Sequence, residues 1–149
     1  MKLVLAPIGI VRNGIDELHG QSWAEVVSQI ELKPELEAAL DGIEGFSHIV
    51  VVFWCHRVQG EFPTNVHPCR RQDLPLVGVF ASRSPHRPNS IGLTTVRLSK
   101  KEGRVLHVQG LDAVEGTPVL DIKPYSPRYN PLHASVPEWM EKLSPHSRP

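Results

Sequence analysis

His48-Ile49-Val50-Val51-Val52-Phe53-Trp54-Cys55 is the stretch on which the fold turns. It is almost continuously apolar and rich in β-branched residues. It is also too short for a buried helix, so it reads as a strand buried on both faces. Working outward, Leu3 to Arg12 reads as a first strand with an irregular start at Pro7-Ile8-Gly9. Asn13 to Ser22 is a polar loop. Trp23 to Leu32 is open between strand and helix, with Val26, Val27, Ile30 and Leu32 favouring a strand. Lys33-Pro34 opens a short helix through Leu40, with Gly42 as its stop.

A long loop runs from His56 to Pro75, and a loop of that length in a small domain is functional or disordered. Val77 to Phe80 is a short strand. Ile91 to Ser99 and Arg104 to Leu111 are two strands joined by Lys100-Lys101-Glu102-Gly103, a hairpin signal. Val119 to Ile122 is another strand, Val136 to Leu143 a closing helix, and the tail from Ser144 frays. About six short strands with little helix to cover a sheet predict closure, which removes exposed strand edges. The expected fold class is mostly β: a single-domain small β-barrel with short peripheral helices, spanning 1–143, with 144–149 as a flexible tail.

Fourteen prolines and 11 glycines among 149 residues argue for rigid loops and against a helix bundle. No apolar run approaches the ~18 residues of a membrane helix, and the first seven residues are too short for a signal-peptide core. A soluble, cytoplasmic protein without membrane contact is expected. In that compartment Cys55 and Cys69 are free thiols by default. The net charge is zero but uneven: −5 over residues 1–53, +4 over 54–97 and +1 over 98–149. The positive block uses only arginine, the better fork for phosphate or carboxylate. An anionic partner would therefore sit against the middle of the chain.

Three segments carry chemistry. In Phe80-Ala81-Ser82-Arg83-Ser84-Pro85-His86-Arg87-Pro88-Asn89-Ser90-Ile91-Gly92, two prolines stiffen a loop of arginines, a histidine and small polar residues. A rigid loop of this composition suits binding, because its groups need no ordering when ligand arrives. In Gly116-Thr117-Pro118-Val119-Leu120-Asp121-Ile122-Lys123-Pro124-Tyr125, strand periodicity puts Asp121 and Lys123 on one face. In the third, His56 and Arg57 stand where the buried strand emerges. A metal site from Cys55, His56, His67 and Cys69 is disfavoured, because adjacent strand residues point to opposite faces.

Together with Gly45-Phe46-Ser47-His48 and Asp112, these segments resemble the TsaA-like (TrmO-type) family, in the family's order from Leu40 to Tyr125. The resemblance implies a small barrel that binds S-adenosyl-L-methionine and forms homodimers with the site near the subunit junction. It implies methylation of N6 of threonylcarbamoyladenosine beside the tRNA anticodon, hence tRNA as partner. Carried over by position, Gln21, His56, Arg57, Phe80, Arg83, Ser84, Leu93, Asp121, Ile122, Lys123 and Pro124 are expected at the donor. Gln21 is placed through Gly20-Gln21-Ser22, which departs from the family's proline-arginine-glutamine pattern. Arg70, Arg71, Arg87, Asn89 and Tyr125 are expected on the substrate side, and no metal is expected. His56, His86 and Asp121 stand as alternative proton acceptors. Two other functions remain open at this level: methyl transfer to a small molecule or another RNA, and a non-catalytic S-adenosyl-L-methionine or nucleic-acid binding module.

Overall fold

Six strands close into an antiparallel barrel in the order β1-β2-β7-β6-β3-β8, with β8 returning to β1. The computed structural model of the chain describes residues 1–18, 20 and 22–143. The strands are β1 Gly9–Arg12, β2 Val27–Leu32, β3 His48–Trp54, β6 Ile91–Glu102, β7 Val105–Gln109 and β8 Pro118–Pro124. β4 Asn65–Val66 and β5 Val77–Gly78 form a separate two-stranded ribbon. The expected small barrel is what the chain forms.

Alternation along each strand fills the interior. Val11, Ile30, Ile49, Val51, Leu106 and Val108 are completely buried there, each contributing roughly 1.5–3 kcal/mol through removal from water. Leu40, Leu111 and Ala113 join the same cluster from outside the strands. Two glycines allow close approach. A Cβ at Gly9 would stand 2.5 Å from the Glu31 carbonyl oxygen, and one at Gly92 would overlap the Phe53 ring.

The structure corrects several expectations. β3 is not buried on both faces: Ile49, Val51 and Phe53 point in, whereas Val50 and Val52 are half-buried and Trp54 is 46% exposed. Closure supplies β3 with one apolar interior, and its outer row looks away from it. β1 begins at Gly9, because Met1 to Pro7 make no ladder and stay exposed. Trp23–Glu25 is a 3₁₀ turn before β2. Pro34–Leu40 is 3₁₀ rather than α-helical. β6 runs through Glu102, leaving the hairpin turn to Gly103 and Arg104. The 56–75 loop contains β4 and a 3₁₀ turn, Pro68–Arg70. The closing helix α1 is a single turn, Glu138–Glu141. The expected tail 144–149 lies outside the described residues. Among those described, no helix is long and apolar enough to cross a membrane.

Candidate functional site

Four segments meet where β3 leaves the barrel. The chain reverses at Cys55 to Val58, with Val58 N–H donating to the Cys55 carbonyl at 3.0 Å. Cys55 N–H donates to the carbonyl of Ser90 at 2.8 Å, so the end of the 79–90 loop is joined to the same corner. Arg57 reaches Asp16 and the carbonyl of Glu115, bringing in the polar loop and the turn before β8. Beside His56, a recess is lined by Phe53, Cys55, Asp112, Ala113, Val114 and Thr117.

The 79–90 loop is wired internally. Val79–Ala81 is a 3₁₀ turn, and Ser82 Oγ donates to the Val79 carbonyl at 2.9 Å. Ser84 N–H donates to Ser82 Oγ and His86 N–H to Ser84 Oγ, both at 3.3 Å. Arg87 Nη1 donates to the carbonyls of Ser82 at 3.0 Å and Ser84 at 3.2 Å. Ser90, held at φ 48°, donates through N–H and Oγ to the Arg87 carbonyl. Arg83 turns outward and donates to the Leu93 carbonyl. That carbonyl lies in the first half of β6, where β7 is no longer paired. Phe80 is left 77% exposed, with the Arg87 guanidinium carbon 5.8 Å from its ring centroid.

The ionisable groups follow their surroundings. Burial, reinforced by the nearby Arg57 cation, holds the His56 imidazole below its ordinary value. Its Nδ1 is buried without a hydrogen-bond partner. Burial and then the Asp112 carboxylate push the Cys55 thiol up to about 11, against an opposing pull from Arg87. Thr94 Oγ1 donates to that same Asp112 carboxylate. Glu115 accepts from the N–H groups of Gly14 and Asn13 at 2.8 and 2.6 Å, and Arg12 adds a third contact. These donors hold its carboxyl below the usual range, the two N–H groups first.

The residues singled out in the sequence do not all converge. His56 and Arg57 belong to the corner just described, Arg87 acts on the Cys55 thiol there, and Phe80, Arg83, Ser84 and His86 lie along the 79–90 loop, which is tied to the corner through Ser90. Leu93, 48% exposed, points outward from β6 beside Val52, and Asp121 flanks Val52 from β8. Lys123 Nζ pairs with Asp121 at 2.7 Å on that outer face, as the alternation required. Ile122 faces inward and packs on the core. Pro124 and Tyr125 lie at the opposite end of β3, Pro124 opposite Ile49 and Tyr125 edge-on to His48 at 6.3 Å. Seven residues at ~3.3 Å each separate that end from Cys55, roughly 23 Å. Arg70 and Asn89 are exposed, and Arg71 is paired with Asp73. Gln21 lies outside the described residues. No group of three or more His, Cys, Asp or Glu among the described residues is arranged to hold a metal. Sequence reading missed Asp16 and Glu115 as anchors, and it counted Asp112 among the residues of the family resemblance without giving it a role.

This architecture defines a closed six-stranded barrel domain that carries an internally hydrogen-bonded loop, residues 79–90, at one end. The tRNA-methyltransferase O N-terminal domain family matches residues 18–130, and the chain belongs to that family. A probable S-adenosyl-L-methionine-binding protein of Methanothermobacter thermautotrophicus is 39% identical, over 84% of this chain and 91% of that protein. Another so described, from Archaeoglobus fulgidus, is 38% identical over 99% of this chain and 41% of its own length. The mouse tRNA (adenine(37)-N6)-methyltransferase is 40% identical over 93% of this chain and 32% of its own. A crystal structure of TrmO superposes with a TM-score of 0.74 at 32% identity, over 93% of this chain and 64% of that one. The chain thus spans less than two thirds of several of these relatives.

Proposed function

We propose that the chain is an S-adenosyl-L-methionine-dependent methyltransferase that modifies N6 of an adenosine next to the tRNA anticodon, the threonylcarbamoyl form being the expected substrate. The observation that carries this reading is the match, across nearly the whole barrel and its loop, to a protein described as a tRNA (adenine(37)-N6)-methyltransferase. Two features of the corner fit the donor. The orphaned His56 Nδ1 awaits a hydrogen-bond partner, and the exposed Phe80 ring offers a flat apolar face to a purine.

S-adenosyl-L-methionine supplies the methyl as part of a sulfonium, and the departing thioether is neutral and needs no proton. The chain's own task is therefore positioning, for which ~7–11 kcal/mol is available in favourable cases. Arg83 and Arg57 fasten the loops that would frame the donor, and Ser84 would stand against it. Asp121, across Val52 from Leu93 and paired with Lys123, would turn its carboxylate toward the positive sulfonium. The substrate N6 must lose a proton; His56, whose cation is opposed by burial and then by Arg57, would accept it, with His86 and Asp121 as the alternatives. Arg70, Arg71, Asn89 and Tyr125 are assigned to the RNA side.

The same reading includes a homodimer. Val50, Val52, Trp54, Ile91 and Leu93 form an uncovered apolar patch on the outer face of β3 and β6. Isologous pairing of that patch, with the two-fold axis crossing the strands, would carry one chain's Pro124 and Tyr125 toward the other's 79–90 loop. This accounts for the separation of these residues within one chain.

Calorimetric titration of S-adenosyl-L-methionine, followed by transfer of labelled methyl to tRNA carrying the threonylcarbamoyl group, tests the proposal. Binding with transfer to N6 supports it. Binding with no transfer to any tRNA removes the tRNA assignment, and absence of binding by the verified dimer removes the enzyme reading.

A further inference from the structure

Arg83 and Arg87 lie in one loop but face different tasks. Arg83 fastens the loop to the barrel through Leu93. Arg87 faces the loop itself. Its Nη1 bridges the carbonyls of Ser82 and Ser84, and its own carbonyl receives both donors of Ser90. The side chain is half-buried, and its guanidinium stands against the Phe80 ring. Outside a ladder or helix, carbonyls such as those of Ser82 and Ser84 need donors from elsewhere. The guanidinium provides them, in a charge-assisted form that is stronger than a neutral bond.

We propose that Arg87 is a positioning residue: it sets the shape of residues 79–90 and the attitude of Phe80, and acts on the donor through them. This replaces the phosphate contact that its residue type suggests. The role rests on the donor-binding reading above, but its structural half is measurable without any ligand. Arginine suits the task because one planar group serves two carbonyls and an aromatic face together.

Hydrogen–deuterium exchange resolved at single amides tests this on the whole chain, comparing wild type, Arg87→Ala and Arg87→Lys. The reporters are the amides of Ser84, His86 and Ser90, which are bonded inside the loop. In Arg87→Ala these are expected to exchange about tenfold or more faster, as for loss of bonds from a charged donor. Barrel amides such as Val51 and Leu106 should keep their protection. Arg87→Lys retains a donor for both carbonyls and should restore part of the protection. If Arg87→Ala opens the whole barrel, the comparison of Arg87→Lys with wild type carries the test. Loop exchange in Arg87→Lys that is indistinguishable from wild type while donor affinity is lost overturns the proposal.

Donor titration and the salt dependence of tRNA binding complete the experiment. Affinity for S-adenosyl-L-methionine should fall about tenfold in Arg87→Ala, the cost of ordering a loosened loop, with the salt slope of tRNA binding unchanged. Unchanged loop exchange together with a salt slope shallower by about one makes Arg87 a phosphate contact and overturns the proposal. Should wild type take no donor, the enzyme reading fails, while the exchange comparison still decides what Arg87 does to the loop.

Discussion

Arg57 grips Asp16 at two points, Nη1 donating to its main-chain carbonyl at 2.6 Å and Nη2 meeting its carboxylate at 3.1 Å. The same guanidinium reaches the Glu115 carbonyl at 3.3 Å. One side chain thus joins the turn after β3 to the polar loop and to the turn before β8. The ion pair is well exposed, so its share of stability is small, about 0–1 kcal/mol. Arg57→Ala is expected to leave urea unfolding nearly unchanged. It should weaken S-adenosyl-L-methionine binding about tenfold, because the loop must then be ordered at binding. Calorimetry beside unfolding curves checks this, and a large stability loss with intact binding would contradict it.

His56 gives the fold a pH dependence of definite sign. Its folded-state value lies below the ordinary 6.5 because burial and then Arg57 oppose the cation. Between those two values the unfolded chain holds more protons, so stability rises with pH there. The contribution is complete above 6.5 and lost as pH falls through the folded value. His56→Gln should flatten the loss of stability as pH falls below 6.5. Urea midpoints across that range read the difference; parallel curves for the two proteins would show that His56 contributes none of it.

Gly92 and Phe53 face one another across the β3–β6 ladder. A methyl group at Gly92 would overlap the ring. Gly92→Ala is expected to cost about 1–3 kcal/mol as an overpacking change. Phe53→Leu in the same chain should return part of it. A double-mutant cycle with a coupling energy near zero would show that the strands separate instead of competing for the space.

The outer apolar patch predicts association. Leu93→Glu places a charge at its centre beside Val52. It should shift the protein to monomer by sedimentation equilibrium and lower donor affinity with it. A chain that is monomeric before the substitution, yet binds donor normally, would dissociate the site from the interface.

The readable part of the fold was the part governed by local pattern. β3, the β6–β7 hairpin and β8 announce themselves through β-branched residues between turn signals. That Asp121 and Lys123 share one face followed from alternation alone; that this face is the outer one did not. The burial of β3 was misread because an apolar outer row looks like a second core when no partner is visible. Within the site, composition showed that the 80–92 loop was stiff and polar. It did not show the targets of the arginines, because Asp16 and Leu93 are carbonyl and carboxylate partners chosen by the folded path. Proline-fixed φ values are written in the sequence, whereas hydrogen bonds to backbone carbonyls exist only after closure.

The apolar character of both rows of β3 has a consequence for how the barrel assembles. A strand with one polar row cannot slip by a residue without burying polar groups, but β3 lacks that safeguard. Val50, Val52 and Trp54 would be acceptable inside on grounds of polarity. Shape must therefore set the alignment. The Phe53 ring needs the bare backbone of Gly92 opposite it, and the irregularity between Val52 and Phe53 lets β8 match only one alignment. Gly92, the second residue of the strand that follows the 79–90 loop, thus acts as an alignment key, fixing which way that loop faces once the strands have zipped.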